Sequence, residues 1–69
     1  MEINLNNKKE KLETAKSSIT IEELLVIKNF TFELLIVRIN GELVKKAEYS
    51  SASIIAGDKV DVIHVFGGG

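Results

Sequence analysis

Sixty-nine residues suffice for one small domain and are too few for a multidomain enzyme. An apolar share of 45% against 28% charged is a globular balance, and the absence of cysteine excludes a disulfide framework, a zinc-thiolate site and a cysteine nucleophile. Nine basic residues against ten acidic ones give a net charge of −1 with no basic stretch, so nothing in the charge pattern favours nucleic acid as a partner.

The first residues, Met1-Glu2-Ile3-Asn4-Leu5, lack the basic start and long apolar run of a signal peptide, and no apolar stretch approaches the roughly 18 residues of a membrane span. The expectation is a cytoplasmic protein without a membrane partner. Alternation from Glu2 to Asn6 puts Ile3 and Leu5 on one side of a half-buried strand. Asn6-Asn7 reads as a tight turn, because asparagine tolerates the left-handed conformation, and leads into a second strand from Lys8 to Glu13. Leu12 anchors that strand, whose charges suit a sheet edge.

Thr20-Ile21-Glu22-Glu23 is a capping box and starts a helix of about two turns with Ile21, Leu24 and Leu25 on its apolar face. Asn29 is its C-terminal stop. Phe30 and Phe32 then lead into Leu34-Leu35-Ile36-Val37-Arg38-Ile39, a central strand apolar on both parities until Arg38. Asn40-Gly41 is the strongest hairpin signal, since a type I′ turn needs positive φ at both central residues, and it returns the chain through Glu42 to Lys45. Ala47 to Ala56 is small and polar apart from Tyr49, Ile54 and Ile55, and reads as a loop. Gly57-Asp58 turns into a last strand from Lys59 to Phe66. The order ββαβββ predicts an α+β fold, a mixed sheet of four to five strands with one main helix in a ubiquitin-like roll. Residues 1–66 form the domain and 67–69 a flexible tail.

Catalytic groups are scarce. His64 is the sole histidine, with no second histidine or cysteine to build a metal site or a nucleophile-base pair, and reads as a strand residue near the C-terminus. Serines 17, 18, 50, 51 and 53 sit in loop-like stretches and read as turn residues and caps. Gly67-Gly68-Gly69 is different. Three extended residues reach roughly 10 Å beyond the last strand. Without Cβ atoms they can thread a narrow channel and present an unshielded α-carboxylate. An ATP-using partner could convert that carboxylate to an acyl-adenylate, from which a sulfur or nitrogen nucleophile displaces AMP. The alternative is an idle flexible tail.

These features together resemble a known family. Ile3-Asn4-Leu5-Asn6, the helix start Ser18-Ile19-Thr20-Ile21-Glu22-Glu23-Leu24-Leu25, the turn Val37-Arg38-Ile39-Asn40-Gly41-Glu42 and the ending from Ile54 through Gly57-Asp58 to Gly69 occur in this order in ThiS-type sulfur carriers, of the ThiS/MoaD family in the ubiquitin-like superfamily. The resemblance implies a β-grasp fold and a protein that is a co-substrate rather than an enzyme, binding no cofactor or metal of its own. It implies that the Gly69 carboxylate is adenylated by a ThiF-like enzyme using ATP and magnesium. A thiocarboxylate follows, with sulfur from a cysteine desulfurase or another persulfide donor, and thiazole synthase receives the sulfur for thiamine. The molybdopterin synthase small subunit, a ubiquitin-like modifier and a plain interaction module are the alternatives. Asn7 and Asn29 stand where many relatives have glycine, and Phe30 to Glu33 and Ser50 to Ser53 follow no family pattern.

Strand parity adds a docking face. With Arg38 pointing outward, Leu35, Val37 and Ile39 face inward and Leu34 and Ile36 outward; in the last strand Val60 and Val62 face inward, and Asp61, Ile63 and Val65 outward. Leu34, Ile36, Ile63 and Val65, with Phe66 beyond them, are then the expected partner-binding surface, leading to Gly67 and Gly68 as the threaded tail.

Overall fold

A computed structural model describes residues 1–31 and 34–65. In chain order the elements are β1 (Glu2–Leu5), β2 (Lys8–Lys11), β3 (Ser18–Thr20), α1 (Ile21–Ile27), β4 (Leu35–Ile39), β5 (Glu42–Val44), a 3-10 turn (Lys46–Glu48), β6 (Ser53–Ile55) and β7 (Lys59–His64). Five strands form one sheet in the order β2-β1-β7-β4-β5, and β3 pairs with β6 in a separate two-stranded sheet. Only β1 and β7, the first and last strands, run parallel; every other pairing is antiparallel.

The alternation read from Ile3 and Leu5 places both in the core, where they meet Val37, Val44, Val60 and Val62 from the sheet and Ile21 and Leu24 from the helix. Ile19 and Ile54 lie directly opposite each other in the small sheet and are no more than 1% exposed. The stretch from Ala47 to Ala56 is therefore not only loop. It contains a 3-10 turn and a strand, and Ser18 and Ser53 are strand residues rather than turn residues. Three-residue strands carry too little alternation to register as a pattern; tertiary burial of one isoleucine each is what forms them. Ser51 does act as a cap, donating from its hydroxyl to the Glu48 carbonyl at 3.2 Å.

Both ends of α1 are closed. The Ile21 and Glu22 amides donate to the carbonyls of Ala52 and Tyr49, each at 2.9 Å, so the polar stretch before β6 is tied to the first helical turn. Glu23 donates its amide to Thr20 Oγ1 at 3.1 Å while its carboxylate accepts the Thr20 amide at 3.2 Å, which completes the capping box. At the other end Asn29 adopts a φ of 56°. Its amide reaches Val26 O at 3.1 Å and that of Phe30 reaches Leu25 O at 2.8 Å, the paired bonds of a Schellman motif. Asparagine thus does the work of the glycine that usually stands there.

Asn6 and Asn7, at φ of 50° and 66°, make the first hairpin turn, and Asn40 and Gly41, at 51° and 88°, the second. Both are the left-handed pair that a type I′ turn requires. Asn6 does more. The parallel ladder runs from Asn4 N–H on Asp58 O to Asn6 N–H on Val60 O. Where the main chain then turns away, the Asn6 side chain supplies a further rung, Oδ1 accepting the Val62 amide at 2.8 Å and Nδ2 donating to the Val62 carbonyl at 3.1 Å. The carboxamide stands in for a peptide group and extends β1 by one residue's worth of bonding. Asn40 has a parallel role at the other turn, accepting the Lys59 amide at 2.9 Å and donating to Asp58, whose second oxygen holds the Ile55 amide.

Three stability predictions follow from these contacts. Leu24, fully buried, should cost about 2–5 kcal/mol when truncated to alanine, read by urea denaturation. Asn6→Ala loses two hydrogen bonds of about 0.5–1.5 kcal/mol each and forces alanine to positive φ, so it should destabilise more than Asn6→Gly, which loses the bonds only; equal losses would remove the backbone contribution. The Lys16 ammonium, 2.6 Å from the Glu23 carboxylate, and then the Thr20 amide hold that carboxyl below its ordinary value. A folded pKa below the unfolded one gives stability that is present above the unfolded pKa and lost as pH falls through the folded pKa. Glu23→Gln should accordingly flatten the acid limb of a stability-pH profile.

Candidate functional site: an apolar strip on the outer sheet face

The helix covers one face of the large sheet and leaves the other open. On the open face the register of β4 and β7 sets Ile36 directly opposite Ile63 and Arg38 opposite Asp61. One rung further, Val65 donates its amide to the Leu34 carbonyl at 3.0 Å, so the pairing continues beyond the end of β7. Leu34, Ile36, Ile63 and Val65 are thereby brought together on adjacent strands, as their parity implied. Leu34 and Ile63 are 57% and 45% exposed, Ile36 and Val65 half-buried. Inward parity holds as well: Val37, Val60 and Val62 are buried, and Leu35 and Ile39 pack half-buried against the core.

One member of this surface was missed by the sequence reading. Leu43, opposite Arg38 on β5, is 62% exposed and widens the apolar strip to a third strand. Its signal was available: the two-residue turn at Asn40-Gly41 fixes the register of the hairpin, and an outward Arg38 requires an outward partner. Arg38, Asp61 and Lys59 continue the open face as a charged zone away from the apolar end.

Phe66, Gly67, Gly68 and Gly69 lie outside the described residues. The described chain leaves β7 at Val65, at the apolar end of the open face. His64 ends β7 opposite Leu35, half-buried and on the inward parity, apart from the exposed strip. Among the described residues no group of three or more His, Cys, Asp or Glu side chains is placed to hold a metal ion. No described helix is long and apolar enough to cross a membrane.

A single helix packed on a five-stranded mixed sheet, with the first and last strands parallel at its middle, defines a ubiquitin-like β-grasp protein of the α+β class. The chain belongs to the ThiS family of sulfur carriers, whose family model matches residues 2–69. It is similar to the crystal structure of a thiamine biosynthesis protein (ThiS) from Geobacter metallireducens, with a TM-score of 0.83 and 27% identity over 100% of both chains. An NMR solution structure of a thiamine biosynthesis protein from the same organism superposes with a TM-score of 0.77 at 26% identity, covering 100% of this chain and 88% of that one. No curated protein sequence matches the chain.

If the strip is a docking surface, a charge at its centre should disrupt association and spare the fold. Ile63→Asp, at a position 45% exposed, should leave the thermal transition close to the parent and weaken binding to a ThiF-like enzyme in a titration. Unchanged binding would remove the strip from the account.

Proposed function

We propose that this chain carries sulfur for thiazole formation in thiamine biosynthesis, with the Gly69 carboxylate as the working group. The observation that carries this reading is the family match through residue 69, which takes in the glycine ending. The exposed strip of Leu34, Ile36, Ile63 and Val65, from which the chain departs toward that ending, gives it physical support. The relatives named as thiamine biosynthesis proteins supply the pathway.

A carboxylate is a poor electrophile because its negative charge is delocalised over both oxygens. Transfer to the α-phosphate of ATP in a ThiF-like partner, with magnesium, releases pyrophosphate and turns one oxygen into a good leaving group. The outer sulfur of a persulfide, supplied by a cysteine desulfurase or another donor, then attacks the acyl carbon and displaces AMP. A partner thiol cleaves the resulting acyl disulfide at the donor's sulfur, leaving the thiocarboxylate on this chain and a disulfide on the partner side. Delivery to thiazole synthase regenerates the carboxylate. The chain's own contribution is recognition and reach: residues 1–66 present the strip, and Gly67 and Gly68 lack the Cβ atoms that would obstruct a narrow channel. Having no cysteine, it offers no thiol to divert the sulfur into a disulfide. On this reading the protein is a co-substrate of its partners and acts in the cytoplasm.

Intact mass spectrometry tests the proposal. Incubation with ATP, magnesium, a ThiF-like enzyme, a persulfide donor and a thiol reductant should raise the mass by the difference between one sulfur and one oxygen atom. Removal of Gly69 should abolish that gain while leaving the circular dichroism spectrum intact. No gain in the parent chain would overturn the reading, and supplying thiazole synthase or a molybdopterin synthase large subunit afterwards shows which consumes the sulfur.

A further inference from the structure

The large sheet has an incomplete edge beside the exposed strip. β5 stops at Val44, which faces Val37. One more rung of the same register would set residue 46 opposite Leu35, but Lys46 opens the 3-10 turn instead and the chain bends away. Bonding in β4 alternates by parity: Asn40 and Leu34 bond toward the β7 side, at Lys59 and Val65. Leu35, of the other parity, therefore directs its amide and carbonyl to the β5 side, where the strand has ended. Among the described residues no strand partner occupies that rung.

A groove of about 340 Å³ opens at the same place, lined by Leu34, Ile36, Leu43 and Tyr49 together with Lys45 and Lys46. Its walls are mostly apolar, and both charges on it are positive. Among the described residues neither lysine forms an ion pair and no carboxylate lines the groove. An open strand rung, an apolar trough and two lysines outside the described ion pairs, at one edge, define the occupant chemically; the Glu48 carboxylate of the adjoining turn is engaged by the Lys45 amide at 3.0 Å. The rung calls for an extended backbone, the trough for an aliphatic or aromatic side chain, and the lysines for carboxylates.

We infer that this notch docks a short extended segment of a partner protein, apolar at its centre and acidic at its flank, which adds a strand rung at Leu35 and sets its carboxylates against Lys45 and Lys46. Leu34, Ile36 and Leu43 belong both to the notch and to the outer strip, so the segment extends whatever surface lies on the strip around the sheet edge. The site is separate from the chemistry of the terminal carboxylate, and its test reads peptide binding without sulfur transfer.

The probe is an acetylated and amidated peptide, Glu-Asp-Leu-Val-Val-Asp-Glu, titrated into the full-length, nitrogen-15-labelled chain and followed by its amide spectrum. Lys-Lys-Leu-Val-Val-Lys-Lys is the control. Shifts should cluster at Leu35, Leu43, Lys45, Lys46 and Tyr49, and the Leu35 amide should exchange more slowly with solvent at saturation. The lysine peptide should bind at least about tenfold more weakly, the effect of reversing partly desolvated charge contacts. The Lys45→Glu, Lys46→Glu double variant should invert that preference; Leu43→Asp, at an exposed position, should abolish binding of either peptide. Equal binding of the two peptides, shifts centred elsewhere, or dilution-dependent shifts at these amides without peptide, which would make a second copy of the chain the occupant, each overturn the proposal. A normal mass gain in the thiocarboxylate assay alongside any of these would remove the notch and leave the carrier reading standing.

Discussion

Everything in this fold depends on the parallel pairing of its first strand with its last. Asn4 and Leu5 lie beside Lys59 and Val60, and the Asn6 carboxamide carries the pairing to Val62, 56 positions further along the chain. With β1 and β7 side by side, β2 and β4 can only add outside them, and β5 outside β4. The helix must then cross one face, where Ile3, Leu5, Val60 and Val62 wait to be covered. The open outer face is the complement of that arrangement. A chain this small has one helix to spend on a sheet with two sides.

The division between what could be read from the residues and what could not follows the length over which each signal acts. Turns and caps were legible because their chemistry is local: Asn6-Asn7 and Asn40-Gly41 adopt the left-handed pair, Thr20 and Glu23 form the capping box, and Asn29 ends the helix in the left-handed conformation. Parity in β4 and β7 was equally legible, since Arg38 can face only one way and period 2 does the rest. The β3–β6 sheet was not. Ser18-Ile19-Thr20 reads as the approach to a capping box, and Ser53-Ile54-Ile55 as part of a polar loop; what makes them strands is the burial of Ile19 against Ile54, 35 positions apart in the chain. The Asn6 side chain escaped for the same reason, because nothing near it in the sequence announces Val62 as its partner. The strand boundaries were also too generous. β2 ends at Lys11, and Leu12, although buried, lies just past it with its amide on the Met1 carbonyl.

At the candidate site parity located the adjacent apolar residues but understated the width of the strip they form. Four residues on β4 and β7 were identified by parity, while Leu43 completes the surface from β5. The charged zone made by Arg38, Asp61 and Lys59 lies on the same face, further along β4 and β7 than Ile36 and Ile63, with Leu43 of β5 beside Arg38 where the two regions meet. The apolar end of the face is the end at which the described chain leaves β7, at Val65.

Closure of the sheet by its last strand also governs when the fold can exist. During synthesis the ribosome delivers β1 to β6 before β7, yet the centre of the large sheet is β7 itself, flanked by β1 on one side and β4 on the other. Until Lys59–His64 is free of the exit tunnel, the hairpins formed by β1 with β2 and by β4 with β5 have no shared neighbour and no joint core. Formation of the large sheet therefore waits on β7: the joint core exists only once Lys59–His64 has entered between β1 and β4.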